Sequence, residues 1–146
     1  MERKDLIIRM EQKGVKPTAN RLIVVGELSN AKTPVSLADL TERLPEMDKS
    51  SLFRVLTLFL QHDVVDAFVD GRGIVNYELC ETEARAVHHE NHMHFYCEFC
   101  HKSYCLRNVP IRDMEEIVLP EGFLPRGFSL VVKGVCPLCQ KQTDKT

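Results

Sequence analysis

Cys97-Glu-Phe-Cys100 and Cys136-Pro-Leu-Cys139 repeat one ligand spacing. Two residues between thiols let a tight knuckle turn both sulfurs toward one ion, and a second knuckle completes a tetrahedral four-sulfur shell, so Cys97, Cys100, Cys136 and Cys139 are read as ligands of a structural zinc ion. A dithiol redox centre is the competing reading, but Cys97 lacks the helix start that would stabilise a reactive thiolate. Upstream lie His88, His89, His92 and His94, which a filled four-sulfur shell cannot use. The chain is therefore expected to hold a second metal. His92 and His94, one residue apart at a strand start, project to the same side and can share an ion. Imidazole suits zinc and ferrous iron alike, so this spacing leaves the metal open. Cys80, at the end of Tyr77-Glu78-Leu79-Cys80, and the carboxylates of Glu78 and Asp66 are further candidates. Cys105, between Tyr104 and Leu106, is read as core, and His101 as a spare surface histidine.

The elements that must position these groups fall into two halves. A helix is expected from Glu2 to Lys13, ending at Gly14. Thr18 caps a second helix whose Leu22, Val25 and Leu28 recur at threes, with Ile23 and Val24 widening the apolar stripe. Ser36 and Asp39 form a capping pair for a short third helix that stops at Pro45. Asp48 caps a fourth, with Leu52, Val55, Leu56, Phe59 and Leu60 on one face and Ser50, Ser51, Arg54, Thr57 and Gln61 on the others. Two β-like runs, Val64 to Val69 and Ile74 to Leu79, flank Asp70-Gly71-Arg72-Gly73, which suits a hairpin turn. Helices followed by a hairpin spell a winged helix over residues 1–80. Residues 81–91 are polar and aperiodic, as a hinge would be. Residues 92–146 offer strands near Phe95-Tyr96, Ser103 to Leu106 and Phe128 to Val135, and a helix near Ile111 to Val118. The expected class is α+β: an N-terminal winged helix, then a small α/β unit built on four cysteines.

A chain of 146 residues with 44% apolar and 27% charged residues belongs to the ordinary globular class, which excludes a disordered one. No run of about 18 apolar residues and no signal-peptide pattern is found, so no membrane partner and a cytoplasmic location are expected. Residues 1–79 carry 11 Lys/Arg against 12 Asp/Glu. A DNA-binding face must then come from the placement of Arg21, Ser50, Ser51, Arg54 and Arg72 on the second helix, the fourth helix and the hairpin tip.

The order of parts resembles the ferric uptake regulator family of bacterial metal-dependent repressors over essentially the whole chain. The resemblance rests on Pro17-Thr18-Ala19-Asn20-Arg21, Ser51-Leu52-Phe53-Arg54-Val55-Leu56, Glu78-Leu79, His92-Met-His94-x-x-Cys97-x-x-Cys100 and the closing Cys136-x-x-Cys139. It implies a homodimer that reads a double-stranded DNA operator with its winged helix and dimerises through the α/β unit around the structural zinc. It further implies that a regulatory metal at the hinge locks the winged helices at the operator's spacing. Phe53 stands where the family's recognition helix has a tyrosine, which keeps an apolar contact to a thymine methyl and loses a hydroxyl. Thr33-Pro34 replaces a histidine common in iron and manganese sensors, and Asn91, Met93 and Phe128 stand where a further metal site would need ligands. Tyr77, Cys80 and Asp66 match the zinc uptake regulator branch. That branch implies Asp66, Cys80, His92 and His94 as the regulatory ligands, with zinc favoured over iron or manganese. The linker of 11 residues between Cys80 and His92 is longer than in the zinc sensors, which keeps His88, His89 and Glu78 as alternates. A peroxide-sensing member is the near alternative. A zinc hydrolase or a zinc-ribbon adaptor without DNA binding are the alternatives of another class; the hydrolase needs a downstream ligand, and His101 is the last histidine.

Overall fold

The computed structural model describes residues 1–80, 93–106, 118–124 and 130–143. The chain divides into two compact units, Met1–His88 and His89–Thr146.

The first unit runs α1 (Arg3–Gln12), α2 (Ala19–Asn30), β1 (Val35–Ser36), α3 (Leu37–Arg43), α4 (Lys49–Gln61), β2 (Val65–Val69) and β3 (Val75–Leu79). Its core joins Leu6 and Met10 of α1, Val24, Val25 and Leu28 of α2, Leu40 of α3, and Leu52, Val55, Leu56 and Phe59 of α4. The four residues of α4 fall at i, i+3, i+4 and i+7, the period of one helical face, which is why that helix buries a continuous stripe. Ser36 starts α3 with a reciprocal capping box: its Oγ accepts from the Asp39 backbone N–H at 3.1 Å, and the Asp39 carboxylate accepts from the Ser36 N–H at 3.0 Å. Thr18 holds the N-cap position of α2 in extended geometry, but its side chain makes no capping bond. Ile23, expected in the buried stripe, is 47% exposed, whereas Val24 is fully buried.

The hairpin β2–β3 is antiparallel, with Val65 opposite Leu79 and Val69 opposite Val75. Sequence periodicity did not reveal β1. Its two residues pair with β3, Val35 opposite Tyr77 and Ser36 opposite Asn76, which gives a three-stranded sheet in the order β1-β3-β2. Four helices before a hairpin whose sheet closes against the entry to α3 make this unit a winged helix.

The second unit contributes β4 (Met93–Cys97), β5 (Ser103–Leu106), β6 (Leu130–Gly134) and α5 (Pro137–Thr143). β4 is central, antiparallel to β5 and parallel to β6. The short α5 was not anticipated; Pro137 opens it at the position where a missing N–H costs nothing. The buried cluster is Cys97, Cys136 and Cys139, flanked by Phe95, Tyr104 and Val135. The expected helix from Ile111, up to residue 117, and the residues His88, His89, His92 and Phe128 lie outside the described residues. Among the described residues no helix is long and apolar enough to cross a membrane.

Candidate metal centres and nucleic-acid face

The two knuckles meet. The sulfurs of Cys97, Cys100, Cys136 and Cys139 all lie within 4.8 Å of one another, and Cys100 Sγ is 3.9 Å from Cys136 Sγ. Tetrahedral zinc with Zn–S bonds near 2.3 Å separates its sulfurs by about 3.8 Å, whereas a disulfide needs about 2.05 Å. The spacing fits a shared ion, and all four thiols are free of disulfides. The surroundings favour thiolates at Cys97 and Cys136. Burial works against ionising Cys97, yet the backbone N–H groups of Cys100, Cys136 and Phe99 directed at its sulfur outweigh it and hold the thiol well below its ordinary range. The Cys136 N–H donates to Cys97 Sγ at 3.4 Å, tying one knuckle to the other. Cys136 is lowered in turn, by the Cys139 backbone and then by the Tyr104 hydroxyl. Burial raises Cys139. A metal ion binds cysteine as the thiolate, so coordination would take the proton from the raised Cys139.

His101, read from sequence as a spare residue, has a structural task. It follows the first knuckle with φ of 62°, a left-handed conformation that glycine adopts at least cost. The Tyr96 hydroxyl meets its Nδ1 at 2.7 Å and holds the turn.

The second group of candidate ligands is distributed over both units. In the first, Asp66 on β2 stands opposite Glu78 on β3, so both occupy one face of the hairpin, and Cys80 continues that face two residues on. Cys80 is 1% exposed. Burial first, then the charge and hydrogen bond of the Asp66 carboxylate, push its thiol up to about 12. A thiol and a carboxylate that touch at a strand end can serve one cation once the thiol proton leaves. In the second unit, His94 is 3% exposed and stands directly opposite Cys105 across the β4–β5 ladder. A ring nitrogen of His94 and the Cys105 sulfur lie within 4.8 Å. The sequence reading of Cys105 as core is corrected: its side chain is half-buried and shares a face with His94. Both strands were expected from the sequence, but the register that sets Cys105 opposite His94 was not. β4 thus sorts its chemistry by pleat, with Cys97 turned to the four-thiol cluster and His94 to the opposite face.

On the first unit, Ser50, Phe53 and Arg54 are exposed along α4 and Ser51 is half-buried. Phe53 is 52% exposed, an apolar ring on a helix face otherwise polar. Asp48 at the N-cap has its carboxyl lowered, with Ser51 the main cause. Arg21 donates from Nη1 to the Lys16 carbonyl at 3.0 Å, so it also braces the turn before α2. At the hairpin tip the carboxylate of Asp70, itself buried, accepts from the Arg72 and Ile74 backbone N–H groups at 2.8 and 3.1 Å. It also accepts from Asn76 Nδ2 at 2.8 Å and from the Arg72 guanidinium at 3.1 Å. Gly73, with φ of 81°, lets the tip close.

A helical unit with a hairpin wing, joined to an α/β unit that gathers four thiols, defines a winged-helix protein with a metal-binding module. Residues 12–132 match the model of the Ferric uptake regulator family, and the chain belongs to that family of metal-responsive DNA-binding regulators. It is 29% identical over 105 residues to the ferric uptake regulation protein of Bacillus subtilis (strain 168), a match that spans 70% of this chain and 68% of that one. Two solved structures share its fold. A zinc uptake regulator complexed with zinc and DNA superposes with a TM-score of 0.73 at 21% identity, covering 99% of each chain. The Vibrio cholerae ferric uptake regulator gives 0.64 at 20% identity, covering 90% of this chain and all of that one.

Proposed function

We propose that this chain is a zinc-sensing repressor of metal-uptake genes, acting as a cytoplasmic homodimer rather than as an enzyme. In this reading the four cysteines hold a structural zinc, and a second divalent metal recruits Asp66 and Cys80 from the first unit and His92 and His94 from the second. Cys105, cross-strand from His94, joins the candidate ligands, with Glu78, His88 and His89 as alternates. The observation that carries the reading is the buried Cys80 thiol against the Asp66 carboxylate, because sulfur at the second site favours zinc over the harder manganese and ferrous ions. The likeness to a zinc uptake regulator complexed with zinc and DNA supports it. A ligand set drawn from both units would bias the protein toward the arrangement that binds DNA, since a ligand shifts populations only by binding one state better. Ser50, Ser51, Phe53 and Arg54 of α4 would meet base edges and phosphates, with Arg21 and Arg72 on the backbone. Iron sensing is the second reading, favoured by the Bacillus subtilis relative.

The test is a DNA-binding titration on the chain's own promoter region, with zinc, ferrous iron or manganese added to protein that retains only its structural metal. Zinc-dependent binding that vanishes in Cys80→Ala and weakens in Cys105→Ala is expected. Binding with iron alone would establish the second reading, and no metal-dependent binding with any ion would sink both.

A further inference from the structure

Five polar or charged residues are buried among the described residues: Ser36, Asp70, Asn76, His94 and Ser103. In the first unit the rule that a buried polar group is paired holds. Ser36 Oγ accepts from the Asp39 N–H, and the Asp70 carboxylate accepts from the Asn76 amide. Ser103, on β5, breaks the rule. It is 4% exposed, and its Oγ has no hydrogen-bond partner among the described residues. A hydroxyl buried without a partner destabilises a fold, and an alanine in the same place would not. Packing alone therefore gives no reason for a serine here.

A role follows from its place on the sheet. Ser103 lies opposite Tyr96 on the β4–β5 ladder, and Cys105, two residues on, lies opposite His94. Pleating puts these four on one face, the face turned away from Cys97 and its thiol cluster. Ser103 is thus the diagonal neighbour of His94, a separation of about 7–8 Å at the backbone that a long side chain spans. Tyr96 closes the space beside it, 4% exposed and with its hydroxyl meeting His101 Nδ1 at 2.7 Å. An imidazole that ligates an ion through one ring nitrogen keeps its orientation by donating the N–H of the other to an oxygen. A serine hydroxyl can accept that bond. We propose that Ser103 is a positioning residue of the second metal site, its Oγ accepting from the outer ring N–H of His94 when His94 ligates an ion. The proposal rests on the second-metal reading above and adds to it a residue that does not touch the ion. The hydroxyl then weakens the protein while the second site is empty and strengthens the hold on the metal once it is filled. Removing it should show both signs.

The experiment uses the full chain with zinc on the four thiols and the second site either empty or filled with zinc. Competition with a chromophoric chelator reads zinc affinity at the second site, and thermal unfolding reads stability in both states. Ser103→Ala is expected to keep the structural zinc and, with the second site empty, to unfold at the wild-type temperature or above it. Its second-site affinity is expected to fall roughly tenfold to hundredfold, the range for the oxygen partner of a ligating histidine. Nitrogen-15 spectra of the histidine rings add a readout that packing does not move. A protected ring N–H of His94 should appear when the wild-type protein is loaded and be absent from Ser103→Ala at saturating zinc. Unchanged affinity in Ser103→Ala, an unfolding temperature lowered equally in the empty and filled states, or a protected His94 N–H that survives the substitution would each overturn the proposal. If the wild-type chain takes up only its structural zinc, the second-metal reading fails first and this assignment falls with it.

Discussion

Replacing Cys100 by serine, or stripping the metal with a chelator, should melt the second unit while the first stays folded. The difference lies in what each unit buries. The first has fifteen buried hydrophobic residues in one cluster, from Leu6 to Tyr77. Among the described residues of the second, the buried cluster is Cys97, Cys136 and Cys139, with Phe95, Tyr104 and Val135 only partly covered. Three of those six are the proposed ligands themselves, so the apolar part of that core cannot stand in for the metal. A structural zinc contributes on the order of 10 kcal/mol in units of this kind, against about 5–15 kcal/mol for the whole stability of a typical domain. Hydrogen exchange read by mass spectrometry checks this segment by segment. In chelated protein, amides of β4, β5 and β6 should exchange at nearly unfolded rates, whereas those in the middle of α2 and α4 should keep their protection. Protected β4–β6 amides in metal-free protein would refute the reasoning, since the strands would then be held by something other than the four thiols.

Leu56, fully buried in α4, should cost about 2–5 kcal/mol when cut to alanine, seen in urea unfolding of the first unit, with the zinc content of the second unchanged. Ser36→Ala removes one side of the α3 capping box and should cost about 1 kcal/mol in the same assay. Cys80 carries a thiol raised to about 12, so it is protonated at neutral pH and must release its proton to bind metal. Zinc affinity at the second site should therefore fall about tenfold for each pH unit of acidification per proton released, and titration calorimetry in buffers of different ionisation enthalpy should count one proton fewer in Cys80→Ala. In metal-free protein the sign for stability is the usual one for a raised group: the contribution of Cys80 is complete below pH 9 and is lost as pH climbs toward 12.

The helical half of the fold was legible because its signals are local. Leu52, Val55, Leu56 and Phe59 repeat with the helix, Ser36 and Asp39 cap at a fixed offset, and the Asp70-Gly71-Arg72-Gly73 turn sits between two β-like runs. What escaped has no local signal. β1 is two residues long and exists only because Tyr77 and Asn76 offer it an edge. Ile23 continued an apolar run, yet three-dimensional packing gave the core to Val24 and Val25 and left Ile23 outside. The four-cysteine site could be read from spacing alone, since each knuckle is closed within four residues. Cys105 could not, because its meaning comes from register: one residue of slip between β4 and β5 would turn it away from His94.

That dependence on register links the two proposed metal sites. Cys97 and His94 sit three residues apart on β4 and face opposite sides, so the shell that fixes Cys97 also fixes where His94 points. Between β4 and β5, the turn Glu98 to Lys102 is held from both ends, by Cys97 N–H to the Lys102 carbonyl at 3.0 Å and by His101 N–H to the Cys97 carbonyl at 2.9 Å. The first knuckle is thus the turn that joins β5 to β4, and filling it with metal should lock the register that places Cys105 opposite His94. Loading should be ordered in consequence. Cobalt titrated into metal-free protein should first produce the intense sulfur-to-metal absorption of a four-thiolate site, and a second spectral component should grow only after the first saturates. In Cys100→Ser that second component should weaken together with the first, although Cys100 is a proposed ligand of the first site alone. A second site that fills at full affinity in Cys100→Ser would show that β4 and β5 keep their register without the knuckle, and the coupling would be wrong.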